Sequence, residues 1–368
     1  MPAPVAQRRF GRTDLSLSVL TLGTMRLGGI PSSRLAQLLD LAQDLGLNHL
    51  ETAPAYGTAE RQLGAVLADR RSRWFITSKL LPGLPDPRRT LETSLRHLQT
   101  DHLDLLAFHG LNTPEHLRWI LDYGLPLAHR WQQEGLIHHI GFSTHAPLPL
   151  ILEAIATQAF AFVNLHYHYL QPHNAPALAA ATQQDMGVLI ISPADKGGML
   201  YQPSARLHTL CQPWHPLHFA YQFLLSHSAI HTLSLGATHP QEVITASQWC
   251  QTAWDPEGPR IQARLDQLLS QQRDCHQCHA CLPCPEGIPI PEILRLRDLA
   301  NVLEMTAFGQ YRYNMLGQAG HWFPGVSGDH CTDCGDCLPR CPCDLDIPHL
   351  LRQAHQHLHQ RPIRRLWE

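Results

Sequence analysis

No stretch of this 368-residue chain concentrates lysine or arginine, and its formal net charge is only −3. A surface that binds polyanions needs a basic patch, so nucleic acid and anionic membranes are not expected partners. Long apolar runs are missing too. The longest, such as GVLII at 187–191, fall far short of the ~20 residues that a spanning helix requires. The opening residues, MPAPVAQRRF, have no apolar stretch behind their arginines, so no export leader is read there and the chain is expected to be soluble and cytoplasmic. Cysteine is scarce before residue 275, where only Cys211 and Cys250 occur, yet nine of the eleven cysteines crowd into Cys275–Cys343. Where thiols stay reduced, that crowding points to ligation rather than to disulfides. The 26 histidines are mostly scattered, and HQHLHQ at 355–360 reads as a solvated helix face.

From Leu15 onward, short apolar runs alternate with amphipathic stretches. The runs LSVLTLG, NHLET, WFITSKL, LDLLAFHG, HHIGFST, AFVNLHYH, GVLIIS and HTLSLGA are eight strand candidates. Between the first two, Leu35, Leu38, Leu39, Ala42 and Leu45 recur at three- and four-residue spacing, with Gly46 where a left-handed cap would fall. That pattern predicts a helix with one buried stripe. Eight such strand–helix repeats predict an α/β protein built on a closed (β/α)8 TIM barrel. A doubly wound open sheet is the alternative, but LGTMRLGG lacks the Gly-x-Gly-x-x-Gly spacing expected after its first strand. The linker DPEGP, at 255–259, marks the passage to a second domain, giving 1–258 to the barrel and 259–368 to a small, mainly helical unit.

Chemistry in such a barrel gathers at the carboxyl ends of the strands. Strand two ends at Glu51 with Tyr56 just beyond, strand three at Lys79 and strand four at His109. Each alone has an ordinary structural explanation as a rim ion pair, a packing residue or a satisfied strand-end imidazole. Carboxylate, phenol, ammonium and imidazole on three successive strand ends argue for one shared site.

The segments LETAPAYGTAERQLG, TSKL and LDLLAFHG resemble the aldo-keto reductases, and the likeness runs from about residue 10 to about residue 250. The resemblance implies hydride transfer between NADP or NAD and a small carbonyl or alcohol substrate. Tyr56 would be the general acid, Lys79 the cation that makes a phenol of ordinary pKa ~10 a usable donor, Glu51 the carboxylate that keeps Lys79 charged, and His109 the group that orients the carbonyl. The family has Asp where Glu51 stands. On the cofactor side the resemblance implicates Ser143, Thr144, Asn164, Ser192 and Gly236, with Ile191 where the family places a stacking aromatic ring. No Lys or Arg occurs from Ser228 to Pro259, where the family clamps the NADP 2′-phosphate.

Cys275, Cys278, Cys281 and Cys284 form C-x2-C-x2-C-x2-C, and Cys331, Cys334, Cys337 and Cys341 form C-x2-C-x2-C-x3-C, each run followed by proline. The second is the bacterial ferredoxin spacing, in which three cysteines serve one cluster and the fourth serves its neighbour. That logic predicts two [4Fe-4S] clusters, one on Cys275, Cys278, Cys281 and Cys341 and one on Cys331, Cys334, Cys337 and Cys284, in a helical ferredoxin-like domain. Ile288, Ile290, Pro291, Ile293 and Leu294 recur as Leu345, Ile347, Pro348, Leu350 and Leu351, so the unit is duplicated. Zinc is the competing occupant. The clusters would exchange electrons with a redox partner protein, sense oxidation or brace the fold; an electron-transfer protein whose barrel is only a docking platform is the alternative function.

Overall fold

The computed structural model describes residues 3–67, 69–194, 198–272 and 274–360. Contacts divide the chain into two compact units, Met1–Pro193 with Tyr221–Ala253, and Ala194–Ala220 with Trp254–Glu368. The sequence boundary at 258 assigns 194–220 to the barrel, whereas by contacts that segment belongs to the second unit.

The first unit begins with a hairpin, β1 (Gln7–Arg9) antiparallel to β2 (Ser16–Ser18). Eight parallel strands follow: β3 (Leu20–Gly23), β4 (His49–Glu51), β5 (Phe75–Leu80), β6 (Leu103–His109), β7 (Ile137–Ser143), β8 (Phe162–Leu165), β9 (Gly187–Ile190) and β10 (Thr232–Leu235). They close into a barrel in chain order, β10 pairing back onto β3. All eight predicted runs supply these strands. The first run splits, however: Leu17 and Ser18 belong to the hairpin and only Leu20–Gly23 enters the barrel. The hairpin delivers Phe10 into a core group with Leu17, Leu105, Ala107, Phe162 and Leu189. Gly187 makes room for that ring, since a Cβ there would lie 2.7 Å from Phe10.

The predicted stripe forms the helix Ser32–Asp44 with Leu35, Leu38, Leu39 and Ala42 buried, and Gly46 closes it at φ +84°. Inside the barrel a polar chain crosses four adjacent strands. Thr232 and Thr21 share a hydroxyl hydrogen bond at 2.7 Å, Thr21 meets His49 Nδ1 at 2.7 Å, and His49 Nε2 meets Thr77 at 2.7 Å. Burial, and secondarily Lys79, hold the His49 imidazole neutral with its pKa lowered to about 3.

The second unit is helical. Helices Ile290–Val302, Thr306–Tyr313 and Ile347–Leu358 bury Leu296, Leu299, Phe308, Leu351, Ala354 and Leu358 between them. The helix Glu257–Gln272 begins inside the predicted linker, where Gly258 sits against the Trp254 ring with no room for a Cβ. His357 and His359 are exposed as expected, but His355 is not solely solvated: its Nδ1 lies 2.9 Å from the Tyr313 hydroxyl, which in turn accepts from Gly328 N at 2.8 Å. That pair anchors the loop leading to Cys331.

Candidate active site and cysteine loops

Neighbouring parallel strands β4, β5 and β6 bring their carboxyl ends to one face of the barrel. Glu51 and His109 end β4 and β6, and Lys79 stands one residue before the end of β5. Tyr56 lies in the turn before the helix Ala59–Leu67, its N–H donating to Ala53 O at 3.0 Å. Lys79 Nζ donates to the Tyr56 hydroxyl at 2.7 Å and to the Thr52 carbonyl at 3.1 Å, touches Glu51 Oε1, and lies 4.4 Å from the centre of the Tyr56 ring. The extra methylene of Glu51 therefore does not prevent contact. The Tyr56 hydroxyl is 3.4 Å from Glu51 Oε1, a long and weak hydrogen bond. His109 meets Tyr56 edge-on, with ring centres 5.8 Å apart. Four sequence-selected side chains thus form one cluster.

Electrostatics there are set by desolvation. The Lys79 and Glu51 side chains are 2% and 4% exposed. Burial raises the Tyr56 phenol above its ordinary value and lowers the Lys79 ammonium well below its own. The touching Glu51 carboxylate opposes the second shift, because a close opposite charge favours the ionised form. A charged Lys79 then draws the phenol toward phenolate, the direction a proton donor needs. Composition carried a further signal that sequence reading passed over: Lys79 is one of two lysines in the chain, the other being Lys196.

The cofactor-side residues divide. Ser143, the last residue of β7, pairs with Asn164, one residue before the end of β8, and Ser143 Oγ accepts from Gly110 N at 3.1 Å. Asn164 is fully buried, and neither atom of its side-chain amide has a hydrogen-bond partner. A buried amide without partners costs about 1–3 kcal/mol, which a ligand carboxamide would offset. Thr144 is committed elsewhere, donating to Leu111 O at 2.7 Å and accepting from Ala146 N at 2.9 Å. Ser192 is exposed in a left-handed conformation. Gly236 O accepts from Arg26 Nη1 at 2.7 Å, and Arg26 also reaches Glu242 at 3.4 Å.

Sequence reading missed Glu242. Its Oε2 accepts from Thr238 N at 2.7 Å and His239 N at 2.9 Å, so a carboxylate of the chain's own occupies the backbone donors leading into helix Pro240–Cys250. The signal was present in THPQE, a capping residue and proline followed by Glu at the third helical position.

The cysteines line two separate small pockets. Cys275, Cys278, Cys281 and Cys341 line one, together with Cys343; Cys284, Cys331, Cys334 and Cys337 line the other. The two loops also repeat in backbone: Gln277 and His279 have positive φ, as do Asp333 and Gly335 at the matching positions, then Gly287 and Asp344 after the fourth cysteines. Leu282 N donates to His279 O just as Leu338 N donates to Gly335 O. Burial, then the neighbouring Cys275, push the Cys281 thiol up to about 12. Free thiolates cannot share such a cavity without a cationic centre.

The model of the "Aldo/keto reductase family" matches residues 19–243, so the match ends before the first cysteine run. An uncharacterized oxidoreductase of Bacillus subtilis, YqkF, is 26% identical over 212 residues, 54% of this chain and 67% of that protein. The aldo/keto reductase slr0942 of Synechocystis is 31% identical over 206 residues, 48% of this chain and 62% of that protein, so the chain spans about two thirds of the length of these relatives. Among solved structures, an aldo/keto reductase from Klebsiella pneumoniae, in complex with NADP and acetate, superposes with a TM-score of 0.59 at 22% identity, covering 72% of this chain and 95% of that one. No helix among the described residues is long and apolar enough to cross a membrane. With a family model matching well over half of its residues on a closed parallel barrel, the chain belongs to the aldo/keto reductase family.

Proposed function

We propose that the chain is an oxidoreductase whose barrel exchanges hydride between a nicotinamide dinucleotide and a small carbonyl or alcohol substrate, and whose cysteine loops hold two [4Fe-4S] clusters. The observation that carries the barrel reading is the desolvated hydrogen bond from Lys79 to Tyr56 at the strand ends. The nicotinamide, when bound, delivers hydride to the carbonyl carbon or takes it from the alcohol carbon. Tyr56 gives its proton to the carbonyl oxygen as the C=O π pair moves onto that oxygen, leaving a phenolate that Lys79 stabilises. His109, edge-on to the Tyr56 ring, would share the charge developing on that oxygen. Asn164 offers its unpaired donor and acceptor to the carboxamide of the cofactor, and Ser143 stands beside it.

Glu242 bears on cofactor choice. A 2′-phosphate at the start of helix Pro240–Cys250 would meet a carboxylate already holding the backbone donors, so the reading favours NADH over NADPH.

Cys275, Cys278, Cys281 and Cys341 would hold one cluster, and Cys284, Cys331, Cys334 and Cys337 the other. Support comes from the lining of the two cavities and the repeated loop backbone. Zinc at ~2.3 Å from sulfur would draw four thiolates to within ~4 Å of one another. Among the described residues no three cysteine sulfurs lie mutually within 4.8 Å. The clusters supply one-electron transfer, serving a redox partner protein.

Anaerobic titration with NADH and NADPH, paired with Tyr56→Phe, tests the barrel reading. Saturable binding with turnover lost in Tyr56→Phe is expected; unchanged turnover removes Tyr56 as the acid. The docking-platform reading draws on the internally committed Thr144 and Glu242. Absence of saturable binding of either nucleotide would favour it.

A further inference from the structure

At the opposite end of the barrel from Tyr56, the starts of β6 and β7 carry a second cluster of ligand-type side chains. Leu103 and Ile137 are paired neighbours and both are fully buried. Strand alternation therefore turns the residues beside them, His102, Asp104 and His138, to the outer side of the sheet. One ligand atom from each of the three lies within 4.8 Å of the others. The two imidazoles stack with centres 4.7 Å apart, and His102 Nε2 is 3.9 Å from Asp104 Oδ1.

The surroundings prepare those atoms for a cation. His102 Nδ1 lies 2.7 Å from Asp101 Oδ1. With Nδ1 directed to that carboxylate, Nε2 is the ring nitrogen turned toward Asp104. This carboxylate–imidazole relay is how metal-binding histidines are usually oriented. Asp104 is itself oriented from behind: Arg71 Nη2 at 2.9 Å and Ile76 N at 2.8 Å both bond Oδ2, leaving Oδ1 toward the histidines. Asp104 is buried, His102 half-buried and His138 exposed, so an ion would have a fixed floor and a solvent-facing side for water.

We infer that His102, Asp104 and His138 form a binding site for a divalent late transition metal of the Zn2+ class, clipping the start of β6 to that of β7. Two imidazoles and one carboxylate suit such a cation and not Ca2+ or Mg2+, which take oxygen ligands. The site is remote from the hydride chemistry, and at the amino-terminal end of a barrel its effect would be on stability.

The test is equilibrium dialysis of the full-length protein against buffered Zn2+, with bound zinc and iron counted, for the parent chain and for His102→Ala, His138→Ala and Asp101→Asn. The parent is expected to bind one zinc equivalent more than His102→Ala or His138→Ala. Asp101→Asn is expected to weaken that equivalent by about 10–100-fold, the usual effect of losing an orienting partner. Zn2+ should also raise the melting temperature of the parent and not that of His138→Ala. Thiols left without iron would bind zinc equally in all four proteins, so the difference is independent of the cluster reading. Equal zinc content in parent and variants, or a parent that takes up none beyond its cysteines, overturns the site.

Discussion

Replacing Glu51 with glutamine separates the two roles of the buried ion pair. Glu51 and Lys79 are almost completely desolvated, and Lys79 keeps hydrogen bonds only to neutral groups, Tyr56 and Thr52, once the carboxylate is gone. Two unit charges ~3 Å apart attract by roughly 5–6 kcal/mol at an effective dielectric of ~20, and removing one member of a buried pair costs about 3–5 kcal/mol. Glu51→Gln should therefore lose about 3–5 kcal/mol at pH 7. The loss has a definite pH dependence. Lys79 is a base whose folded pKa lies below its unfolded value, and without Glu51 it falls further. Between the folded and unfolded values the unfolded chain binds more protons, so stability rises with pH, and the deficit of the variant should shrink from pH 7 toward pH 10. Turnover should change the other way: the ammonium that assists Tyr56 is lost at lower pH than in the parent, so the alkaline limb of the rate profile moves toward acid. Glu51→Gln combined with Lys79→Met should recover most of the stability and none of the activity, because a buried pair replaced by neutral groups costs little. Denaturant unfolding of the barrel at several pH values, with pH–rate profiles, reads both effects. A deficit that does not vary with pH, or a double variant no more stable than Glu51→Gln, would refute the reasoning.

Asn164→Leu removes a buried amide that has no partner, so it should leave stability unchanged or raise it by about 1–3 kcal/mol while weakening NADH binding at least tenfold; calorimetric titration and thermal unfolding check the two halves. Glu242→Gln keeps an acceptor for Thr238 N and His239 N but removes the charge, and the ratio of kcat/KM for NADPH to that for NADH should rise, by roughly 5–10-fold for ~1 kcal/mol of relieved repulsion. Tyr313→Phe deletes the acceptor for Gly328 N and the partner of His355, so the second unit should lose about 1–3 kcal/mol, and iron content should fall in protein prepared at 37 °C; full iron and unchanged melting would contradict the anchoring role.

Much of the barrel was legible because its strands are short apolar runs separated by helices with buried stripes. The run at Leu17–Gly23 misled, since two strands share it and nothing in its composition marks the switch at Val19 from hairpin to barrel. The grouping of Ala194–Ala220 with the second unit was likewise hidden, because membership depends on which residues the segment packs against and not on its own periodicity. At the mouth, Glu51, Tyr56, Lys79 and His109 could be named in advance because each ends, or follows, a recognisable strand. Their contacts could not: that Lys79 bonds Tyr56 at 2.7 Å while touching Glu51 follows from the register of β4 and β5. Thr144 shows the limit of residue type, since its hydroxyl is spent on Leu111 and Ala146.

Sequence alone determined the number of barrel strands, the order in which chemistry-bearing residues reach the barrel rim, and the duplication of the cysteine unit, because each is written in local spacing. Tertiary structure decided which donors are already taken, as at Glu242, and which remain unpaired, as at Asn164. Those outcomes depend on burial and on contacts between segments far apart in the chain, and a polar side chain reveals its purpose only once the water around it has been removed.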